Sequence, residues 1–133
     1  MDEQAGTVKG APRVLLRAEG AALLLLAALI YGGSGASWWL FAVLFFAPDL
    51  SFLAYLAGPR AGAFAYNAAH TLIGPAVLGL AGLQLPAPLA LSLALIWAAH
   101  IGFDRLLGYG LKYAAGFGFT HLGRIGRGEP MGR

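Results

Sequence analysis

Four apolar runs dominate this sequence, and each is about as long as a membrane is thick. They cover residues 14–33, 38–57, 61–83 and 89–111, and short turns separate them. A helix of about 20 residues spans about 30 Å, which is the thickness of the hydrocarbon core of a bilayer. Only 11% of the residues are charged, against about a quarter in soluble domains. The sequence therefore predicts an all-α integral membrane protein, a four-helix bundle of residues 14–111.

The positions of the basic residues predict the orientation of this bundle. All nine Lys and Arg residues lie before or within the first run, in the turn at Arg60, or at and after the end of the fourth run. The turns 32–37 and 84–88 contain none. Because cytoplasmic loops collect Lys and Arg, both termini are expected on the cytoplasmic side of a cytoplasmic (inner) membrane.

The two ends of the chain are too polar to cross a membrane. Residues 1–13 mix charges of both signs with Gly and Pro, and a flexible cytoplasmic leader is expected there. Residues 112–133 form a basic tail in which His121, Arg124 and Arg127 are expected to contact anionic lipid headgroups. So few basic residues are free of the membrane that nucleic acid is not an expected partner.

Several polar side chains interrupt the apolar runs. An ionisable group inside a span costs about 2.5–3.5 kcal/mol, so such groups are paired, solvated or functional. Helical spacing of three or four residues places them in stripes, one on each of three predicted helices. The stripes are Phe45, Asp49, Phe52 and Leu56; Ala63, Asn67, His70 and Gly74; and Trp97, His100, Asp104, Gly108 and Lys112.

If these stripes face one another, they form a polar cluster between the middle of the membrane and its cytoplasmic side. The candidate ligands for a metal ion or a polar molecule are Asp49, His70, His100 and Asp104. Supporting positions at the edge of the cluster are Glu19, Asn67, Arg105 and Lys112. Since the chain has no cysteine, thiolate metal sites and covalently attached haem are excluded.

The residue types leave several functions open for the cluster. His and Asp could bind a divalent metal such as zinc, which could activate water. Alternatively, His70 and His100 could be the axial ligands of a b-type haem. A chain of His and Asp residues also suits a proton or ion path. Finally, mutual pairing could serve only to fix the helix register, with Glu19 reaching the interface beside Arg17.

Four segments of the sequence resemble those of a known family. They are LLRAEG at 15–20, FAPDLSFLAYLAGPRAGAFAYNAAH at 46–70, HIGFDRLLGYGLKY at 100–113 and FTHLGRIGR at 119–127. In these segments the chain is similar to the bacterial domain of unknown function 4260 family. The resemblance implies a small polytopic membrane protein and includes the candidate residues, but it implies no reaction, substrate or cofactor.

Two functional hypotheses follow from the sequence. The first is a four-helix bundle with a cytoplasm-facing pocket that binds a metal ion or a small polar group, with or without catalysis. The second is a non-catalytic accessory subunit that docks into a larger membrane complex. In both hypotheses the lipid bilayer is the environment, and a homo-oligomer or partner chain is expected to bury the remaining helix faces.

Overall fold

A computed structural model describes residues 7–112 and 119–124 of the chain. Except for one very short strand pair, its elements are helical, which confirms the all-α prediction. In chain order they are α1 (Gly10–Gly33), α2 (Trp38–Leu44), a 3-10 helix (Ala47–Ala57), α3 (Pro59–His70), α4 (Ile73–Gln84), α5 (Pro88–Leu107), β1 (Phe119–Thr120) and β2 (Gly123–Arg124).

Among the described residues, three helical segments are long and apolar enough to cross a membrane, namely Gly10–Gly33, Trp38–Ala57 and Pro88–Leu107. The third predicted span, 61–83, is not a single helix but is divided into α3 and α4, of 12 residues each. The chain becomes extended at Thr71, with φ −91° and ψ 148°. Pro75 explains the break, because it cannot donate a hydrogen bond to the carbonyl of Thr71 and its ring opposes that carbonyl.

The second predicted span also departs from a regular α-helix. α2 ends at Leu44, and residues 47–57 continue as a 3-10 helix, since Pro48 has no N–H for the carbonyl of Leu44. Three residues per turn place Asp49, Phe52 and Tyr55 on one face. The α-helical stripe predicted from the sequence had Leu56 in place of Tyr55, but Leu56 is 90% exposed and the Tyr55 ring packs against Gly62.

The ends of the first and last helices differ from the predicted bounds as well. α1 begins at Gly10, so part of the predicted leader is helical. α5 ends at Leu107 rather than at residue 111, because Gly108 adopts a left-handed conformation with φ 88°. Near this end, Nε of Arg17 donates to the carbonyl of Leu106 at 2.9 Å. A cation at a helix C-terminus also stabilises the helix dipole.

α1 and α5 cross closely at two glycines. A Cβ on Gly102 would lie 2.7 Å from the carbonyl oxygen of Gly20 and 2.7 Å from the backbone nitrogen of Leu24. A Cβ on Gly20 would meet the backbone nitrogen of Leu106 at 2.7 Å. Backbone cannot move aside as a flexible side chain can. Close packing through small residues of this kind is also common between helices in membranes.

Gly102→Ala is expected to destabilise the fold, although alanine is the better helix former. The added methyl group must separate α1 from α5, and such overpacking costs about 1–3 kcal/mol. Gly79→Ala is the matched control, because its Cβ would meet Cβ of Ala94 at 3.5 Å, an ordinary contact. Thermal unfolding in detergent measures both variants. An unchanged midpoint for Gly102→Ala would contradict the close crossing.

The described part of the tail folds back onto the ends of α1 and α5. β1 pairs with β2 in antiparallel register, and Lys112 forms a bridge with Thr120. The N–H of Val8 donates to the carbonyl of His121 at 2.8 Å, and the Arg13 side chain donates to the carbonyl of Leu122. Leu122 is fully buried. The N-terminal and C-terminal segments are thus joined at one end of the molecule.

This arrangement changes the expected role of His121. Its side chain is half-buried, and Nδ1 accepts a hydrogen bond from the N–H of Leu111 at 2.9 Å. His121 therefore forms contacts within the protein, because the backbone beyond α5 supplies polar groups that need partners. The headgroup contacts predicted for Arg127 and for the side chain of Arg124 lie outside the described residues.

Candidate metal centre

The 3-10 helix, α3 and α5 each contribute one or two polar side chains to one buried cluster. His100 and Asp104 are four residues apart on α5, so they project from the same face. His70 is the last residue of α3, and Asp49 lies in the first turn of the 3-10 helix. The structure thus brings together all four candidate ligands predicted from the sequence; we refer to them as the tetrad. Their ligand atoms all lie within 4.8 Å of one another.

The distances within the tetrad are short and nearly equal. Nε2 of His70 lies 3.2 Å from Oδ1 of Asp49 and 3.4 Å from Oδ2 of Asp104. Nε2 of His100 lies 3.3 Å from each of the same two oxygens. The two Nε2 atoms are 3.2 Å apart. These are five of the six edges of a tetrahedron; the sixth joins the two carboxylates, and all four ligand atoms lie within 4.8 Å of one another.

The five short distances match those between the ligands of a zinc ion. Zinc binds imidazole nitrogen and carboxylate oxygen at about 2.0–2.1 Å, and a regular tetrahedron with such bonds has edges of about 3.3–3.4 Å. Five of the six edges of the tetrad are between 3.2 and 3.4 Å. The chemistry of the donors agrees, because two imidazoles and two carboxylates form a common type of site for divalent transition metals.

The surroundings of His70 direct a lone pair towards the centre of the tetrad. Nδ1 lies 2.8 Å from the backbone carbonyl of Tyr66, which can only accept a hydrogen bond, so Nδ1 carries the proton. In a neutral imidazole Nε2 is then the unprotonated nitrogen, as a metal ligand requires. The Tyr66 ring stacks on the His70 ring at a centroid distance of 3.7 Å. Arg105 donates to the carbonyl of His70 at 3.0 Å and so holds the end of α3 in place.

His100 is the most deeply buried member of the tetrad, with 0% of its surface exposed. Phe45 and Phe46 pack edge-on against its ring. Nδ1 lies near the backbone of Phe45 but forms no well-aligned hydrogen bond within the described residues. Its orientation is therefore set by ring packing and by the tetrad itself.

Electrostatics also favours a cation at this point. With both carboxylates ionised and both imidazoles neutral, the tetrad carries a charge of −2 in a site where three of its four members are buried. Burying uncompensated charge is costly. Protonating both histidines would place two cations with their nitrogens 3.2 Å apart. A single divalent ion neutralises the site without creating that repulsion.

The predicted supporting residues have different places in the structure. Arg105 and Asn67 lie beside the tetrad. Arg105 donates to the carbonyl of His70 and also lies 3.0 Å from Nε2 of His121. The Asn67 amide donates to the carbonyl of Lys112 at 2.8 Å and accepts from its N–H at 2.6 Å. Glu19 is not brought to the tetrad: it is exposed on α1 and pairs with no other described residue. The glycine face of α1, rather than its Glu19 face, packs on α5.

Lys112 is buried at the edge of the site, with 4% of its surface exposed. Its Nζ lies 4.8 Å from the centre of the Tyr66 ring, a cation–π contact. Burial lowers the pKa of Lys112 to about 8, and the nearby carboxylates Asp104 and Asp49 oppose this shift. The ammonium form therefore predominates at neutral pH. Burial, and secondarily the charge of Arg105, lowers the pKa of His121, which keeps that imidazole neutral.

A cavity of about 270 Å³ adjoins the tetrad on the side of its two carboxylates. It opens between the 3-10 helix, α3, α5 and the segment that follows α5. Its lining combines the two carboxylates, one lysine and five aromatic rings: Phe46, Asp49, Phe52, Tyr66, Phe103, Asp104, Tyr109 and Lys112.

Tyr66 and the aromatic rings of the cavity were not among the residues predicted from the sequence. Tyr66 is 2% exposed, and its hydroxyl lies 3.5 Å from Oδ2 of Asp104. Its spacing of four residues from His70 was an available signal. Phe52 was placed in the Asp49 stripe but was given no role. Phe103 precedes Asp104 directly, and no spacing rule distinguishes it from a lipid-facing residue.

The residues do not fit a haem between His70 and His100. Axial histidines lie on opposite faces of a macrocycle. Here the two Nε2 atoms are 3.2 Å apart, and carboxylate oxygens of Asp49 and Asp104 lie within 3.4 Å of them. These carboxylates occupy the space that the macrocycle would need.

Comparison with known proteins identifies the family but no better described relative. Searches of curated proteins and of solved structures found no match. The family model described as "Domain of unknown function (DUF4260)" matches residues 13–125, which include the whole tetrad and the described part of the tail. The chain therefore belongs to the DUF4260 family.

Proposed function

We propose that this chain is a membrane protein that binds one zinc ion in the tetrad of Asp49, His70, His100 and Asp104. The observation that carries the proposal is the set of five ligand-to-ligand distances of 3.2–3.4 Å, which match the edges of a zinc-centred tetrahedron. The hydrogen bond between His70 and the Tyr66 carbonyl adds support, since ligating histidines are held in this way.

The donor set favours zinc over the other common divalent ions. Magnesium and calcium prefer six or more oxygen ligands, whereas the tetrad offers two nitrogens and two oxygens. Manganese and ferrous iron favour sites with more ligands or with open positions. The four side chains supply four ligands, as in sites that hold zinc structurally, which favours metal binding as the function. Zinc-assisted hydrolysis would need a water molecule as a further ligand or in place of one of them.

We further propose that the helices cross the inner membrane four times, with α3 and α4 together forming the third crossing. Large apolar side chains on the outer faces support this, for example Leu29 at 74%, Val43 at 74% and Leu56 at 90% exposure. Termini on one side, the cytoplasmic side, agree with the hydrogen bond between Val8 and His121 and with the positions of the basic residues.

Metal analysis of the purified protein tests the zinc proposal. After expression and purification in a mild detergent without chelators, we expect one zinc per chain by elemental analysis. Replacement of zinc by cobalt(II) is expected to give the intense visible absorption of a tetrahedral site. Protein that is folded but free of metal, and that takes up no zinc in equilibrium dialysis, would overturn the proposal. Co-purification of such metal-free protein with partner chains would favour the accessory-subunit function.

A further inference from the structure

The cavity beside the tetrad has the lining and the size expected of a site for a small ligand. It reaches the two carboxylates of the tetrad at one end, whereas Lys112 and the 41% exposed Tyr109 come from the segment that follows α5. Its volume of about 270 Å³ lies just below the range of about 300–1,000 Å³ that is usual for small-molecule sites. The space suits a headgroup and a short length of attached chain.

The charges around this cavity determine whether it favours an anion or a cation. A zinc ion contributes +2, the carboxylates of Asp49 and Asp104 contribute −2, and the Lys112 ammonium contributes +1. The metal and the charged groups that line the cavity therefore have a net charge of +1, which favours an anion. Without the metal, the lining groups alone have a net charge of −1, which disfavours it.

The aromatic walls of the cavity indicate that the remainder of the ligand is apolar. Phe46, Phe52 and Phe103 come from two helical segments that belong to the membrane-capable part of the chain. Phe46 is 59% exposed and Phe52 is 36% exposed, so these two residues line the cavity and also reach the outer surface of the chain. An alkyl chain that leaves the cavity past these rings would remain in contact with apolar side chains.

We propose that this pocket binds an anionic amphiphile, an oxyanion such as a phosphate or carboxylate carried on an alkyl chain. The oxyanion lies between the Lys112 ammonium and the metal of the tetrad, and the chain lies against Phe46, Phe52 and Phe103. This inference rests on the proposed zinc function, because without the metal the charge balance reverses.

The test measures ligand binding to cobalt-loaded protein in phosphatidylcholine nanodiscs, through changes in the visible absorption of the metal. Four probes separate the parts of the ligand: decyl phosphate and decanoate carry head and chain, inorganic phosphate carries the head alone, and decanol carries the chain alone. Decyl phosphate and decanoate are expected to bind at least about tenfold more tightly than either partial probe, which corresponds to about 1.4 kcal/mol. Inorganic phosphate as the best ligand would identify the source as free phosphate and overturn the amphiphile.

Lys112→Gln tests the placement of the head. We expect it to weaken decyl phosphate at least about tenfold, because a charge-assisted contact is lost, and Lys112→Arg is expected to retain binding. The backbone of residue 112 remains bonded to Asn67 in both variants. Arg60→Gln removes an exposed cation that does not line the cavity and is expected to change nothing. Partitioning of the probe into lipid is the same for all variants and cancels in the comparison.

The zinc content of every sample separates the two proposals. Zinc-loaded protein that binds decyl phosphate equally well with Lys112 or Gln at position 112 would overturn the pocket inference and leave the metal function intact. Wild-type protein that cannot be loaded with zinc or cobalt would overturn the metal function, and the inference with it.

Discussion

Replacing His100 by Gln is expected to release zinc from the chain, with a rise in the dissociation constant of more than about a hundredfold. Loss of an outer-shell partner of a metal ligand costs about 10–100-fold, and His100 is proposed as a direct ligand. Nε2 of His100 lies within 3.3 Å of the ligand atoms of the other three tetrad residues. Gln has similar polarity and length but does not supply an imidazole nitrogen. Equilibrium dialysis with zinc measures the effect.

The third histidine of the chain provides the matched control for this experiment. His121 is half-buried and bonded to the backbone of Leu111, but it is not part of the tetrad. His121→Gln is therefore expected to retain one zinc per chain, although its stability can fall. Size-exclusion profiles and circular dichroism show whether each variant is folded. Equal zinc affinity for folded His100→Gln and His121→Gln would exclude the tetrad as the site.

Removing zinc from the wild-type protein is expected to lower its free energy of unfolding by about 4 kcal/mol. This value applies when the free zinc concentration exceeds the dissociation constant about a thousandfold before the chelator is added. The loss is large because a ligand that binds only the folded state stabilises it by mass action. The metal-free tetrad also leaves two carboxylates close together in a buried site. Thermal unfolding with zinc and with a chelator gives the difference.

A double variant, Asp49→Asn with Asp104→Asn, distinguishes the stability that comes from the bound metal from the stability of the protein fold itself. It removes the −2 charge that requires a cation but retains the size of both side chains. We expect its unfolding midpoint to be independent of zinc and to lie above that of the metal-free wild-type protein. A wild-type protein whose midpoint does not respond to zinc would argue that the tetrad is a structural hydrogen-bonded cluster.

The tetrad could be predicted from the sequence because its members obey simple geometric rules. His100 and Asp104 are one helical turn apart, so a single helix brings them together whatever surrounds it. Asp49 and His70 belong to other helices, but each is an ionisable group inside an apolar run, and the cost of leaving it alone draws such groups together. The role of the tetrad as a ligand set for zinc stays a prediction until a metal is measured.

The breaks in the helices were harder to predict from the sequence. Pro48 and Pro75 marked the correct regions, since each removes a backbone donor. A proline inside an apolar run can produce a kink, a change of winding or a full break, and packing decides among them. Gly74 packs under the ring of Trp97, and the Trp97 indole donates to the carbonyl of Ala69. These contacts with α5 hold the broken form of the third run.

The contacts of the supporting residues could not be predicted from the sequence, because they involve the segment after α5, where apolar residues do not recur at a helical spacing. Asn67 binds the backbone of Lys112, and Arg105 joins the carbonyl of His70 to Nε2 of His121. The contacts with Lys112 and His121 require the segment after α5 to fold back, which the spacing of apolar residues does not encode. Lys112 was expected at the edge of the cluster because it continues the helical spacing of His100 and Asp104. It lies there although α5 ends at Leu107, since the Asn67 side chain binds its backbone.

The winding of residues 47–57 has a consequence for the exchange of metal with the surroundings. His70, His100 and Asp104 are held by α-helices, whereas Asp49 lies on an 11-residue 3-10 helix, a conformation rarely stable beyond three or four residues. A local shift towards α-helical winding would rotate the Asp49 carboxylate relative to the other three ligands. If the tetrad holds a metal ion, such a shift would remove one of its four ligands, and the rate of metal exchange would depend on the backbone of this one segment.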